Sequence, residues 1–266
     1  MRADIDRFAL ALAQSWENNV QVVADPASQP GTAEDAYRIQ DQVYAARYPG
    51  VAARAWKVGA ADVHAEPNGA PIGLLLESPA KVDRAAFHMF GIEAEIAFRL
   101  VKDLPPRARA WQGAELAEAE LVEAELVEAE LVEAIGEALV TIELCDTRMV
   151  DWKSASPLTK LADFQLNGAL VVGSGVTRWQ GIDFSAQRVE LWVNGLQTVD
   201  AKGTHSLGNP LRLMPWAAAH CARRAGGLRA GDLVTTGSWT GMRFASPGDT
   251  LIARFPGIGE ASLQIL

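Results

Sequence analysis

Apolar residues recur at helical spacing twice near the start of the chain. Over residues 4–19, Ile5, Phe8, Leu12 and Trp16 fall on one face. Over 32–48, Thr32 with Asp35 three residues on reads as an N-cap, and Ala36, Ile39, Val43 and Ala46 point inward. The ADPASQPG between them is a loop by its Pro and Gly content. Beyond residue 50 the pattern shortens into apolar or alternating runs, which predict strands at 54–58, 72–76, 92–100, 138–145, 168–173, 188–193, 232–236 and 249–255. Turn residues such as Pro67-Asn68-Gly69, Asn194-Gly195 and Pro256-Gly257 separate them. VELWVNGLQTVD is a hairpin signal, two β-rich runs around Asn194-Gly195. A helix is predicted over 210–225, opening at Pro210. The order predicts an α+β fold: a smaller N-terminal α+β part over 1–85 and a mostly β region of mixed sheets over 86–266.

One stretch obeys neither period. Residues 115–134 read ELAEA, ELVEA, ELVEA, ELVEA, all strong helix formers. A five-residue repeat advances about 140° beyond a full helical turn, so its Leu stripe spirals around the axis and cannot stay on a core face. The repeat at 114–134 therefore predicts an exposed Glu-rich helix or a frayed excursion, a tolerated surface expansion or a docking arm.

This repeat also explains the charge. The net charge is −9, but residues 114–134 hold eight Glu and no Lys or Arg, so the rest of the chain is nearly neutral. The acidity is local, and no basic stripe points to nucleic acid. A hydrophobic fraction of 49% with eight Trp and 23 Gly fits a globular, turn-rich protein with a sizeable core. No apolar run approaches the roughly 18 residues of a membrane span, and the mixed charges of MRADIDRFALALAQSW do not form a secretory signal. Cys145 and Cys221 have neither metal-type nor redox-type spacing, and a reduced, cytoplasmic setting is the simplest expectation.

Candidate chemistry begins at GIEAEIAFRL. Alternation places Ile92, Ala94, Ile96, Phe98 and Leu100 on one face of a strand and Glu93, Glu95, Ala97 and Arg99 on the other. Two carboxylates at i and i+2 stand about 6–7 Å apart along the strand and resist joint ionisation unless a hard cation such as Mg²⁺ or Mn²⁺ sits between them. A solvated strand face is the other reading. Glu143, flanked by Ile142 and Leu144 in a second strand-like run, needs a partner if buried. Lys57 lies in the apolar ARAWKVG stretch. Desolvation there could fit it for proton transfer, or its stem could lie along apolar surface with the amine in water. The GSWTG turn after a strand offers hydroxyls and backbone N–H groups that can hold a carboxylate.

Taken in order, WKVG, GIEAEIAF, IELCDTRMVDWK, LADFQLNGALVVG, GDLVTTGSWTG and PGDTLIARFPGIGEASLQI resemble the fumarylacetoacetate hydrolase superfamily. Within it they resemble the branch of 2-keto-4-pentenoate (2-hydroxypentadienoate) hydratases and 4-oxalocrotonate decarboxylases. The resemblance runs from about residue 50 to the C-terminus. It implies twisted mixed sheets rolled around a Mg²⁺ or Mn²⁺ site held by Glu93, Glu95 and Glu143. It also implies Lys57 as catalytic acid/base, Glu77 as a second one, Ser238 and Thr240 as substrate-carboxylate ligands, and Gln165 and Asn167 near the pocket.

The activity so implied is hydration of a 2-hydroxy-2,4-dienoate to a 4-hydroxy-2-oxo acid in the catabolism of aromatic compounds. A 2-oxo acid decarboxylase or a C–C hydrolase of an acylpyruvate-like compound are the alternatives. All three rely on stabilising charge beside a 2-oxo group, so the ligands alone do not separate them. A hydrolase would call for a His–carboxylate pair, and His64, His88, His205 and His220 offer none at a recognisable spacing. The implied partner is a small 2-oxo acid, with no nucleic acid or membrane, in a homo-oligomer. A non-enzymatic acidic scaffold built on the Glu repeat is the competing class. Two departures from the resemblance stand out: the repeat lengthens the interval from Glu93 to Glu143, and LADFQ replaces the more common A-D-N wording.

Overall fold

The computed structural model describes residues 2–107 and 129–266. Two helices packed against each other lead the chain, α1 (Arg2–Asn18) and α2 (Ala33–Arg47). Ile5, Phe8 and Leu12 of α1 pack with Ala36, Ile39 and Val43 of α2 in the main core. The Thr32 hydroxyl accepts the Asp35 N–H at 3.1 Å, as an N-cap should. Ala46 is exposed, against expectation, because the last turn of α2 runs past the core and Tyr44 supplies the packing there.

Thirteen strands follow among the described residues: β1 (Ala55–Gly59), β2 (Asn68–Pro71), β3 (Leu75–Glu77), β4 (Ala80–Val82), β5 (Gly91–Leu100), β6 (Ile135–Cys145), β7 (Asn167–Val176), β8 (Arg188–Val193), β9 (Leu196–Lys202), β10 (Leu233–Ser238), β11 (Arg243–Phe244), β12 (Thr250–Phe255) and β13 (Gly259–Ile265). Eight form one mixed sheet in the order β2-β1-β10-β5-β6-β7-β3, with β11 added beside β5. The other five form a second sheet, β4-β13-β12-β8-β9. Strands β12 and β13 pack over β6 and β7, which closes the core between the sheets. Two further helices are α3 (Pro157–Ala162) and α4 (Met214–Arg224), the latter preceded by a 3₁₀ turn at Pro210–Leu213.

This is an α+β fold. Strands β1 to β3 belong to the same sheet as β5 to β7, so residues 1–85 and 86–266 are joined through shared hydrogen bonding. Asn68-Gly69 is strand here and not turn: β2 pairs antiparallel with β1, Gly69 opposite Val58. A side chain at Gly69 would meet the Lys57 carbonyl at 2.7 Å and Trp216 at 3.2 Å, which is why the closest approach falls on glycine. Of the predicted run at 72–76 only Leu75 and Leu76 are strand, in β3, and residues 72–74 link it to the end of β2 at Pro71. The Asn194-Gly195 hairpin joins β8 and β9 as expected, and β4 and β13 are strands that the hydrophobic pattern missed.

The repeat lies almost wholly outside the described residues. Its last turn, 129–134, is helical, with Leu131 and Ala134 buried and Glu130 and Glu133 exposed. No described helix is long and apolar enough to cross a membrane. Both cysteines are buried and unpaired.

Candidate metal centre

Strand β5 divides its residues as the alternation requires. Ile92, Ala94, Ile96, Phe98 and Leu100 enter the main core. Glu93 and Glu95 point to the other face, where Ala97, Leu139, Leu170, Val172 and Leu233 form a separate small apolar cluster. Register then assembles the acids. Glu93 lies directly opposite Glu143 on β6, and Glu95 opposite Thr141. On the far side, β10 brings Thr235 and, after a bulge, Ser238 beside Glu95. Lys57 on β1 aligns with Thr235.

The Lys57 Nζ donates to Glu143 Oε1 at 2.6 Å and to the Gln165 carbonyl at 3.1 Å. Three inter-strand steps separate β1 from β6, roughly 14 Å in a flat sheet. The long Lys57 and Glu143 side chains close that gap by reaching toward each other across β10 and β5. Glu143 is fully buried, and its Oε1 also accepts from Asn167 Nδ2 at 3.0 Å. Glu95 is fully buried too, held through Oε2 by the Thr235 hydroxyl and by the Gly237 N–H at 3.2 Å. Gly237 has φ of +95°, a conformation that turns this N–H inward at the bulge and that glycine adopts without steric cost.

Two oxygens in this network have no partner: Glu95 Oε1 and Glu143 Oε2, both buried. A buried carboxylate oxygen without a donor is costly, and a cation is the usual remedy. Potential ligand atoms of Glu93, Glu143 and Cys145 lie within 4.8 Å of one another. The electrostatics agree with that reading. Burial, with the neighbouring carboxylates reinforcing it, raises Glu93 above the usual range and Glu95 well above it. Burial is the largest single influence on Lys57 and opposes its charge, but Glu143, Cys145, Glu93 and Glu95 together outweigh it and hold the ammonium above its ordinary range. Oxygen donors of this kind suit Mg²⁺ or Mn²⁺, so the residues present fit a divalent cation.

The structure brings together five of the residues singled out by sequence, Lys57, Glu93, Glu95, Glu143 and Asn167. Gln165 adjoins them through its carbonyl, and its side chain donates to Asn68 Oδ1 at 2.5 Å. Ser238 has a buried hydroxyl at the edge of the acidic group, close enough to Glu93 to lower its pKa against the effect of burial. Thr240 is committed elsewhere: its hydroxyl accepts the Ala94 N–H and donates to the Gly241 carbonyl, both at 3.1 Å. Glu77 does not join the group. It sits exposed on β3 at the edge of the sheet, with β7 between it and β6. Among the described residues no histidine ring hydrogen-bonds or ion-pairs with a carboxylate; His64 and His88 reach Asp62 and Asp146 only through their backbone N–H groups, at 2.8 and 2.9 Å. His205 contacts the Thr236 carbonyl, and His220 stacks on Trp216.

Sequence reasoning passed over Cys145 and Thr235. Cys145 was within reach, since it follows Glu143 by two residues on the same strand face. Thr235 carried no signal, because only sheet order places it beside Glu95.

Beneath Lys57 the chain makes an unusual turn. Phe164, Gln165 and Leu166 all have positive φ, at 56°, 54° and 62°. For L-residues this left-handed conformation costs about 1–2 kcal/mol each. It aims the Gln165 carbonyl at Lys57 and delivers Asn167 to Glu143.

The geometry agrees with what comparison finds. The model of the fumarylacetoacetate (FAA) hydrolase C-terminal family matches residues 76–266. The chain belongs to that family. Lys57 lies before the matched stretch. A 2-keto-4-pentenoate hydratase of Paraburkholderia phymatum is 31% identical over 169 residues, 64% of this chain and 58% of that protein. A 4-oxalocrotonate decarboxylase of Pseudomonas putida is 25% identical over 133 residues, half of each chain. The chain thus spans less than two thirds of the length of the curated relatives it matches. Among solved structures, a 4-oxalocrotonate decarboxylase from Pseudomonas putida, complexed with magnesium and adipate, superposes with a TM-score of 0.80. That match covers 100% of this chain and 98% of the other at 20% identity, and it shows that the fold is shared.

Proposed function

We propose that the protein is a divalent-cation-dependent hydratase that adds water to a 2-hydroxy-2,4-dienoate to give a 4-hydroxy-2-oxo acid, in the catabolism of aromatic compounds. The observation that carries this reading is the trio Glu93, Glu95 and Glu143, the last two fully buried and each with an oxygen that lacks a partner, with Lys57 bonded to Glu143. Glu93, Glu95 and Glu143 would hold Mg²⁺ or Mn²⁺, a reading that the magnesium complex of the superposed 4-oxalocrotonate decarboxylase supports. When bound, the cation supplies Lewis acidity toward the 2-oxo group of the substrate.

The remaining work falls to the chain itself. Lys57, charged and fixed against Glu143, is the proton donor and acceptor within the site. The Ser238 hydroxyl, buried beside Glu93, would bind a substrate carboxylate. Its partner in the sequence motif, Thr240, supports that turn by bonding to the backbone of β5. The absence of a His–carboxylate pair among the described residues favours a hydratase over a C–C hydrolase. Decarboxylation of a 4-oxalocrotonate-type 2-oxo acid is the second reading, favoured by the named relative at 25% identity.

The test is a Mg²⁺- and Mn²⁺-dependent spectrophotometric assay with 2-hydroxypenta-2,4-dienoate beside 4-oxalocrotonate and an acylpyruvate, run with the Glu93→Ala variant. The expected result is turnover of the dienoate and loss of both bound metal and activity in the variant. Turnover of 4-oxalocrotonate alone selects the decarboxylase. Unchanged metal content in the variant would return the protein to the scaffold class.

A further inference from the structure

The left-handed turn at 164–166 has a holder, and the holder is a buried cation outside the acidic group. Arg148 is 1% exposed and follows β6 by three residues. Its guanidinium bonds to the carbonyls that bracket the turn: Nη2 to Asp163 O and Nη1 to Asn167 O, each at 2.7 Å. Its Nε donates to Asp163 Oδ1. The Asp163 carboxylate in turn accepts the Arg148 N–H at 3.0 Å and the Thr147 hydroxyl at 2.8 Å. Trp16 lies against the guanidinium plane at 4.5 Å from its ring centre. Every donor is thus directed at the two ends of one five-residue segment.

We infer that Arg148, with Asp163 and Thr147, is a positioning residue that clamps the 163–167 segment in its left-handed form, so that the Gln165 carbonyl and the Asn167 amide fix Lys57 and Glu143 for proton transfer; this rests on the proposed function for its kinetic part. The physical basis is geometric. Three consecutive non-glycine residues at positive φ do not persist unless their surroundings impose it. Relaxing them to right-handed geometry would turn the Gln165 peptide away from Lys57. A planar fork reaches two carbonyls at once, whereas a lysine ammonium at the same place satisfies the Asp163 charge but cannot bridge both ends. Arg148 touches neither the acidic group nor Lys57, so it acts only through the turn.

The decisive variant is Arg148→Lys, which keeps the charge pair and loses the fork. Expected are a fall in kcat of about tenfold or more with KM within about threefold of wild type, and a crystal structure in which residues 164–166 no longer all hold positive φ. A folded Arg148→Lys protein with wild-type kcat overturns the inference, and so does one whose turn and Lys57–Gln165 contact are unchanged. Should that variant fail to fold, Thr147→Val carries the test. It is nearly isosteric and removes one donor to Asp163, with kcat expected to fall about threefold at constant KM; unchanged kcat overturns the inference. If the wild-type protein turns over none of the dienoate, oxalocrotonate or acylpyruvate substrates, the functional proposal fails, and the clamp is judged by the variant structures alone.

Discussion

Replacing Glu143 by leucine removes the anionic half of the Lys57 pair and leaves an ammonium buried beside Gln165 and the two remaining glutamates. Breaking a buried pair from one side costs about 3–5 kcal/mol, because the other charge loses its compensation. Lys57 retains 13% side-chain exposure and the fields of Glu93 and Glu95, which places the expected loss near the lower end, about 3 kcal/mol. Leucine is close to glutamate in volume, so the cavity contribution is small. For a chain of this size that loss lowers Tm by roughly 6–12 °C, at about 2–4 °C per kcal/mol. The assay is urea unfolding in the presence of a chelator, with Mn²⁺ titration calorimetry on the same samples. The double variant Glu143→Leu with Lys57→Met tests the cause. It leaves no unpaired charge from this pair and is expected to recover most of the lost stability, but not the Mn²⁺ binding. A double variant no more stable than Glu143→Leu alone would refute the electrostatic account, and undiminished Mn²⁺ binding would refute the ligand assignment.

Two further outcomes follow from other parts of the fold. His220 is buried against Trp216, Tyr37 and Trp56, and burial, helped by Arg224 and Arg223, lowers its pKa from 6.5 to about 3. A depressed folded pKa means that the unfolded chain takes up the proton first, so stability is lost as pH falls from about 6.5 toward 3. At pH 5.5 the loss from this group is about 1.4 kcal/mol. Chemical denaturation at pH 7.5 and 5.5 should show it in wild type and not in His220→Phe, and equal slopes in the two proteins would count against it. Deleting residues 115–129 is expected to leave Tm and Mn²⁺ affinity nearly unchanged. Leu100 and Ile135 pair directly, so the excursion leaves and re-enters between adjacent strands, and shortening such a loop changes closure entropy only modestly. Loss of folding in that deletion would contradict the surface-expansion reading.

Much of this was legible along the chain. The alternation in 92–100 alone puts Glu93 and Glu95 on the face opposite Ile92 and Phe98, because the strand period of two does not depend on what packs against it. The same holds for the helical faces of α1 and α2 and for the Asn194-Gly195 hairpin, whose conformations are local. Patterning failed where the local signal and the tertiary context diverged. Asn68-Gly69 looks like a turn yet serves as strand, since glycine is needed there for close approach to Lys57 and Trp216. Ala46 has the right spacing for the core and lies beyond its edge.

The sequence by itself determined the residue types and the local periods: which acids share a strand face and which lysine sits in an apolar run. Only the tertiary structure decided which of them meet. Sheet order set Thr235 beside Glu95, left Glu77 on an exposed edge, and let Lys57 reach across β10 and β5 to Glu143. Arg148 and Asp163 acquired a role only when the chain placed the fork across a left-handed turn. The reason is that strand pairing and buried ion pairs join residues far apart in sequence, and their energies depend on distances that no local pattern encodes.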